Sequence, residues 1–149
     1  MIQTPHTYAQ WLDVLDALKE KRDDGGVLQA MQQGTLEWQS GVAERFTKAY
    51  VEAINTRMNA SSDRFQLAMS RAGGREQPVV QALLDLRKEM AFLIRVSDVP
   101  AIPENQRKQY CQMIKDQADT MQSSLEDSAK KDRSGKLASI VRNHKVNVL

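Results

Sequence analysis

Apolar side chains recur in this chain at steps of three and four residues over most of its length, and that spacing leaves few folds open. Tyr8, Trp11, Leu12, Leu15 and Leu18 make one such series, and Ala43, Phe46, Tyr50, Ile54, Met58, Phe65 and Met69 make another. On a helix these positions fall on a single stripe, which has to be covered by another apolar surface. The expected fold is all-α: an antiparallel helical bundle of three long helices plus a shorter N-terminal helix, with a basic C-terminal tail. Residues 1–134 are read as the bundle domain and 135–149 as the tail.

The punctuation between stripes sets the expected boundaries. Thr7 can cap the first helix, with Gln10 three residues later reaching back as a capping box. Asp23-Asp24-Gly25-Gly26 is read as its stop, because glycine accepts the left-handed backbone that ends a helix. Val27 to Gln33 then makes one or two turns, closed by Gly34. Thr35 opens the longest pattern, whose apolar steps from Leu36 to Met69 average about 3.7 residues, close to a straight helix. Asn59-Ala60-Ser61-Ser62-Asp63 is its weak point, since these side chains compete for backbone hydrogen bonds. A continuous helix is expected there, ended by Gly73-Gly74.

Pro78 suits the first turn of the next helix, which carries Val79, Leu83, Leu86, Met90, Leu93 and Val96. Arg87, Lys88 and Glu89 are assigned to its wet face. A last long helix runs from Glu104 to Lys131, started by Pro103, on a thinner stripe of Tyr110, Met113, Ile114, Ala118, Met121, Leu125 and Ala129. Two forms are open to the tail beyond Ser134-Gly135: a short helix through Leu137, Ile140, Val141 and His144, or an extended run.

Composition narrows the function more by exclusion than by assignment. The hydrophobic share of 41% and charged share of 27% belong to an ordinary globular chain. Cys111 is the single cysteine, so an intrachain disulfide is impossible. Neither a secretion signal nor an apolar run of membrane-spanning length is read, and a cytoplasmic location is expected. His6 and His144 stand near opposite ends, without carboxylates at metal-ligand spacing, so no metal is expected. Asp13 with Asp16, and Asp116 with Asp119, read as solvated helix faces. The glycine pairs lack the flanking residues of a phosphate loop, no nucleophile elbow can be drawn, and neither a cofactor nor an enzymatic activity is expected.

Two classes of partner remain. The first is another protein, bound through helix faces by a non-catalytic module: an adaptor, small chaperone or regulator. Tyr8, Trp11, Phe46, Tyr50, Met113 and Met121 are the candidate contacts, because aromatic and methionine side chains supply large, adaptable contact area. Part of the long helix, or of the polar last one, is expected to lie against a second copy in a homodimer. The second class is a nucleic acid. Lys130, Lys131, Arg133, Lys136, Arg142 and Lys145 face only Asp132 in charge, and such a run can neutralise phosphates. The run has no aromatic residue for stacking, which places this reading second.

Overall fold

The structure, a computed structural model, describes residues 2–149. It is all-helical, with six helices and no strand among the described residues: α1 (Tyr8–Lys19), α2 (Asp24–Gln33), α3 (Ser40–Ala72), α4 (Glu76–Ser97), α5 (Glu104–Ala129) and α6 (Lys136–Asn143). The chain forms two compact units, each discontinuous in sequence. Of the described residues, one comprises 2–60 and 95–110, the other 61–94 and 111–149.

In the first unit the N-terminal cap is as expected. Thr7 Oγ1 accepts the Gln10 N–H, and Gln10 Oε1 accepts the Thr7 N–H, which closes the capping box of α1. The stop differs from the expectation. Lys21 and Asp23, not the glycines, hold the left-handed backbone (φ 57° and 52°), and Gly25-Gly26 lies inside α2. The reason is a cap: Asp23 Oδ1 accepts the Gly26 N–H at 3.1 Å. A side chain at Gly26 would run into that carboxylate, whereas one at Gly25 would meet open space.

The long helix also begins later than expected, at Ser40 rather than near Thr35. Residues 35–39 are held out of the helix by three contacts. The Thr35 N–H donates to the Pro5 carbonyl, the Trp11 indole donates to the Thr35 carbonyl, and the Trp38 indole donates to the Ala101 carbonyl. Beyond Ser40, α3 is continuous through the polar stretch 59–63 for 33 residues, about 50 Å of helix. Ser61 is buried and its hydroxyl takes the Arg64 guanidinium at 2.9 Å, so this side chain is occupied within the helix surface instead of breaking it. Gly73 and Gly74, both at positive φ, end α3 as expected.

The core of the first unit gathers Trp11, Leu15, Leu18, Val27, Met31, Phe46, Tyr50 and Ile54, with Val99 and Ile102 from the 98–103 connection. Arg57 is buried with them. In the second unit Leu83, Leu86, Met90, Leu93, Ile114 and Ala118 form the centre. Glu89 corrects the assignment of α4's wet face: it is 9% exposed, while Lys88 stays in solvent. Three residues past Leu86 and four before Leu93, it stands on the edge of the buried stripe.

The segment read as a tail is folded into the second unit. Residues 136–143 form α6, and Ile140, Val141 and Val146 are buried. The Val146 N–H donates to Gln122 Oε1 at 3.0 Å, and Asn147 Nδ2 donates to Asp119 Oδ1 at 2.9 Å. Burying three aliphatic side chains is worth roughly 1.5–3 kcal/mol each, enough to order a segment whose charges all face water.

The α2 cap yields a paired prediction. Gly26→Ala should destabilise the first unit by about 1 kcal/mol through loss of the Asp23 cap. Gly25→Ala, helical and unobstructed, should stabilise it by about 0.5–1 kcal/mol. Both tryptophans, Trp11 and Trp38, belong to this unit, so urea unfolding followed by tryptophan fluorescence reads the change directly. Equal effects at the two glycines would contradict the cap.

Candidate functional site

Helix α3 presents Phe46 and Tyr50 one turn apart, and around them the first unit builds an aromatic chain. Trp11 and Trp38 meet Phe46 edge-on, with ring centres 5.6 and 5.2 Å away. Phe46 and Tyr50 lie nearly parallel at 6.1 Å, and Tyr50 stacks on Tyr110 at 4.2 Å. Such pairs add roughly 0.5–1.5 kcal/mol each beyond the area they bury. Gly34 makes room for this: a Cβ there would come within 2.8 Å of the Trp11 ring and 2.9 Å of the Pro5 carbonyl.

The polar ends of the chain are answered inside the unit. The Tyr50 hydroxyl bonds to Ser97, and the Tyr110 and Thr47 hydroxyls lie 2.7 Å apart. Trp11, Phe46 and Tyr50 therefore leave no surface for a partner, each being fully enclosed. Tyr8 is different. It is half-buried, and the Arg45 guanidinium lies over its ring at 5.2 Å. Beside it a groove of about 470 Å³ is lined by Tyr8, His6, Leu36 and Val42, among others.

In the second unit α5 presents Met113, Met121 and Leu125, each half-buried, along a stripe whose enclosed members after Ile114 are Ala118, Gln122 and Ala129. Small and polar residues at the stripe centre leave the larger flanking side chains partly in water. Leu67 on α3 is 50% exposed, among the largest apolar exposures in the chain. Of the six candidate contacts, then, Tyr8 in the first unit and Met113 and Met121 in the second keep accessible surface.

The basic residues keep theirs as well. Lys130, Lys131, Arg133, Lys136, Arg142 and Lys145 are all exposed, and Lys130 makes one solvated pair with Asp127 at 3.7 Å. Asp132, the carboxylate among them, has a structural role as well. Its carboxylate accepts the Leu137 N–H at 3.0 Å and both the N–H and hydroxyl of Ser134, so it builds the turn into α6. Sequence reasoning left it as a lone countercharge; its place five residues before Leu137 across Ser134-Gly135 is the signal that a turn cap was available. Next to that turn lies a cleft of about 330 Å³ with Met69, Val79, Leu137 and Ile140 in its walls.

No helix among the described residues is long and apolar enough to cross a membrane. No group of three or more His, Cys, Asp or Glu among them is placed to hold a metal ion. The imidazole of His6 is engaged by the Thr35 hydroxyl at 2.9 Å.

The turn has a pH signature. Hydrogen bonds from the Leu137 N–H and from the Ser134 hydroxyl and N–H, helped by the nearby Lys136 charge, hold the Asp132 carboxyl below its ordinary value. A carboxyl lowered by folding contributes stability above its unfolded value, and that contribution is lost as pH falls through the folded one. Carboxyl-detected NMR titration should find Asp132 among the lowest aspartates, with the α6 resonances moving as it protonates. An ordinary midpoint would contradict the capped turn.

No protein-family model, curated protein or solved structure matches this chain.

Proposed function

We propose that the chain is a non-catalytic protein-binding module of the cytoplasm, an adaptor, small chaperone or regulator that works through helix faces. The observation that carries this reading is the character of α5. Its stripe is too poor in large side chains to enclose Met113, Met121 and Leu125, which stay half-exposed, and Leu67 of α3 in the same unit is 50% exposed. Methionine and leucine in that state form an adaptable apolar surface, the kind a partner helix covers. Tyr8, held flat by Arg45, offers a second contact in the first unit. The short connections 73–75 and 98–103 favour an antiparallel arrangement of α3, α4 and α5.

The first partner in this reading is a second copy of the chain. Light scattering behind size exclusion at several micromolar should give twice the chain mass, and Met121→Asp should lower the association by about tenfold, the effect of a charge placed in an apolar contact. A monomer mass that does not vary with concentration would remove the homodimer from the reading.

The exposed cations favour a second reading, a nucleic-acid-binding regulator using Lys130, Lys131, Arg133, Lys136, Arg142 and Lys145. Removing residues 135–149 is a poor test, because Ile140, Val141 and Val146 would go with the charges. Changing Lys130, Lys131, Arg133 and Lys136 to Gln removes charge alone. In mobility-shift titrations at about 50 and 200 mM salt, counterion release predicts weak, sequence-indifferent binding that disappears at the higher salt and in the variant. Tight binding by the unaltered chain that survives the higher salt and is lost in the variant would favour the nucleic-acid reading over the protein one.

A further inference from the structure

We propose that Ser134 is a phosphorylation site, the acceptor for a serine kinase that reads cations on the N-terminal side of its target, and that its phosphate displaces Asp132 from the start of α6. This goes beyond the protein-binding reading and does not depend on it. The sequence isolates the position. Lys130, Lys131 and Arg133 fall within the four residues before Ser134, and no other serine or threonine of the chain has more than one cation in that window. Asp132 shares the window, which leaves it at +2. Kinases choose their substrates by charge patterns of this kind. The fold makes the position reachable as well. Ser134 lies in the connection between α5 and α6, outside both helices, and it is exposed together with the three cations. Of these, Lys130 is engaged only in its solvated pair with Asp127 at 3.7 Å.

In the transfer, Ser134 Oγ attacks the γ-phosphorus of ATP and the bond from that phosphorus to the bridging oxygen breaks. ADP leaves with the electron pair, and the hydroxyl proton passes to the catalytic aspartate of the kinase. The geometry of the turn dictates the consequence. The Ser134 hydroxyl donates to the Asp132 carboxylate, at 3.0 Å to Oδ1 and 2.9 Å to Oδ2, and accepts the Lys136 N–H at 3.2 Å. A phosphate in its place carries about −1.5 to −2 charge near neutral pH, so an attractive contact with Asp132 becomes a repulsive one. Its oxygens also face the Lys136 N–H, at the same helix start that Asp132 serves through the Leu137 N–H at 3.0 Å. Both anions compete for one positive helix end at hydrogen-bond range, and the more highly charged phosphate, flanked by Arg133 and Lys136, keeps it.

Incubating the full chain with Mg²⁺, ATP and the catalytic domain of a basophilic serine kinase, followed by peptide mass spectrometry, tests the site. One phosphoryl group is expected, on Ser134, and none in Ser134→Ala. Changing Lys130, Lys131 and Arg133 together to Gln, a surface change checked by circular dichroism, should slow incorporation by about tenfold or more. Lys145→Gln, an exposed cation outside the window, should leave the rate unchanged. In the phosphorylated chain, carboxyl-detected NMR should find the Asp132 midpoint above its position in the unmodified chain, and phosphatase treatment should return it. A Ser134 left unmodified, or equal rates in the two glutamine variants, overturns the site. An Asp132 midpoint that does not move on phosphorylation overturns the displacement.

Discussion

Arg57 is the least expected residue in the core, and the first unit is organised around it. A guanidinium carries five N–H donors in a rigid fork and keeps its charge at any ordinary pH. Burying one is very costly unless acceptors are brought to it. Here α3 delivers Arg57 at 2% exposure, Asp24 receives it with both carboxylate oxygens at 2.8 and 2.6 Å, and the Leu18 carbonyl accepts at 3.0 Å. Leu18 lies in the last turn of α1 and Asp24 opens α2, so one side chain ties the end of one helix and the start of the next to a third. Both contacts also suit the helix dipoles, a cation at a C-terminus and an anion at an N-terminus. The tight connection between α1 and α2, with Lys21 and Asp23 forced left-handed, is the geometry that presents those acceptors together.

The second unit follows a different economy. The outer half of α5 is enclosed only at Ala118, Gln122 and Ala129. Gln122 carries part of the cohesion, since its amide joins the Val146 backbone and Glu126. The terminal segment adds the aliphatic contacts that α5 lacks, and its capped turn leaves the surrounding cations to solvent. In the protein-binding function proposed above, the well-enclosed first unit would serve as a fixed frame and the half-covered methionines of the second as an adaptable surface.

Much of the fold was legible because helix periodicity and end signals agree along most of the chain. The Thr7–Gln10 box, the Gly73-Gly74 stop, Pro78 in the first turn of α4 and Pro103 before α5 are all local, and local chemistry decides them. The misplaced boundaries are those decided at a distance. Residues 35–39 have helical spacing, but Pro5, Trp11 and Ala101 take their hydrogen-bonding groups. The glycines of α2 look like a stop until the Asp23 cap is seen to require one of them. Arg57 could have been found: it falls on the stripe three residues after Ile54 and four before the buried Ser61, where a charge demands a partner. Of the candidate contacts, Tyr8, Met113 and Met121 keep surface, but periodicity could not separate them from Trp11, Phe46 and Tyr50. A stripe shows which side of a helix is covered, not how large the neighbours covering it are.

A double-mutant cycle on Arg57→Met and Asp24→Asn, read by tryptophan fluorescence during urea unfolding, tests the organising role of this pair most directly. Each single change should destabilise the first unit, and the double variant should be little worse than either, giving a coupling of about 2–3 kcal/mol. Methionine fills the space of the buried stem, so the cycle isolates the charge contact from lost packing. Effects that simply add, to within about 0.5 kcal/mol, would show that Arg57 and Asp24 act independently and that the unit is organised by something else.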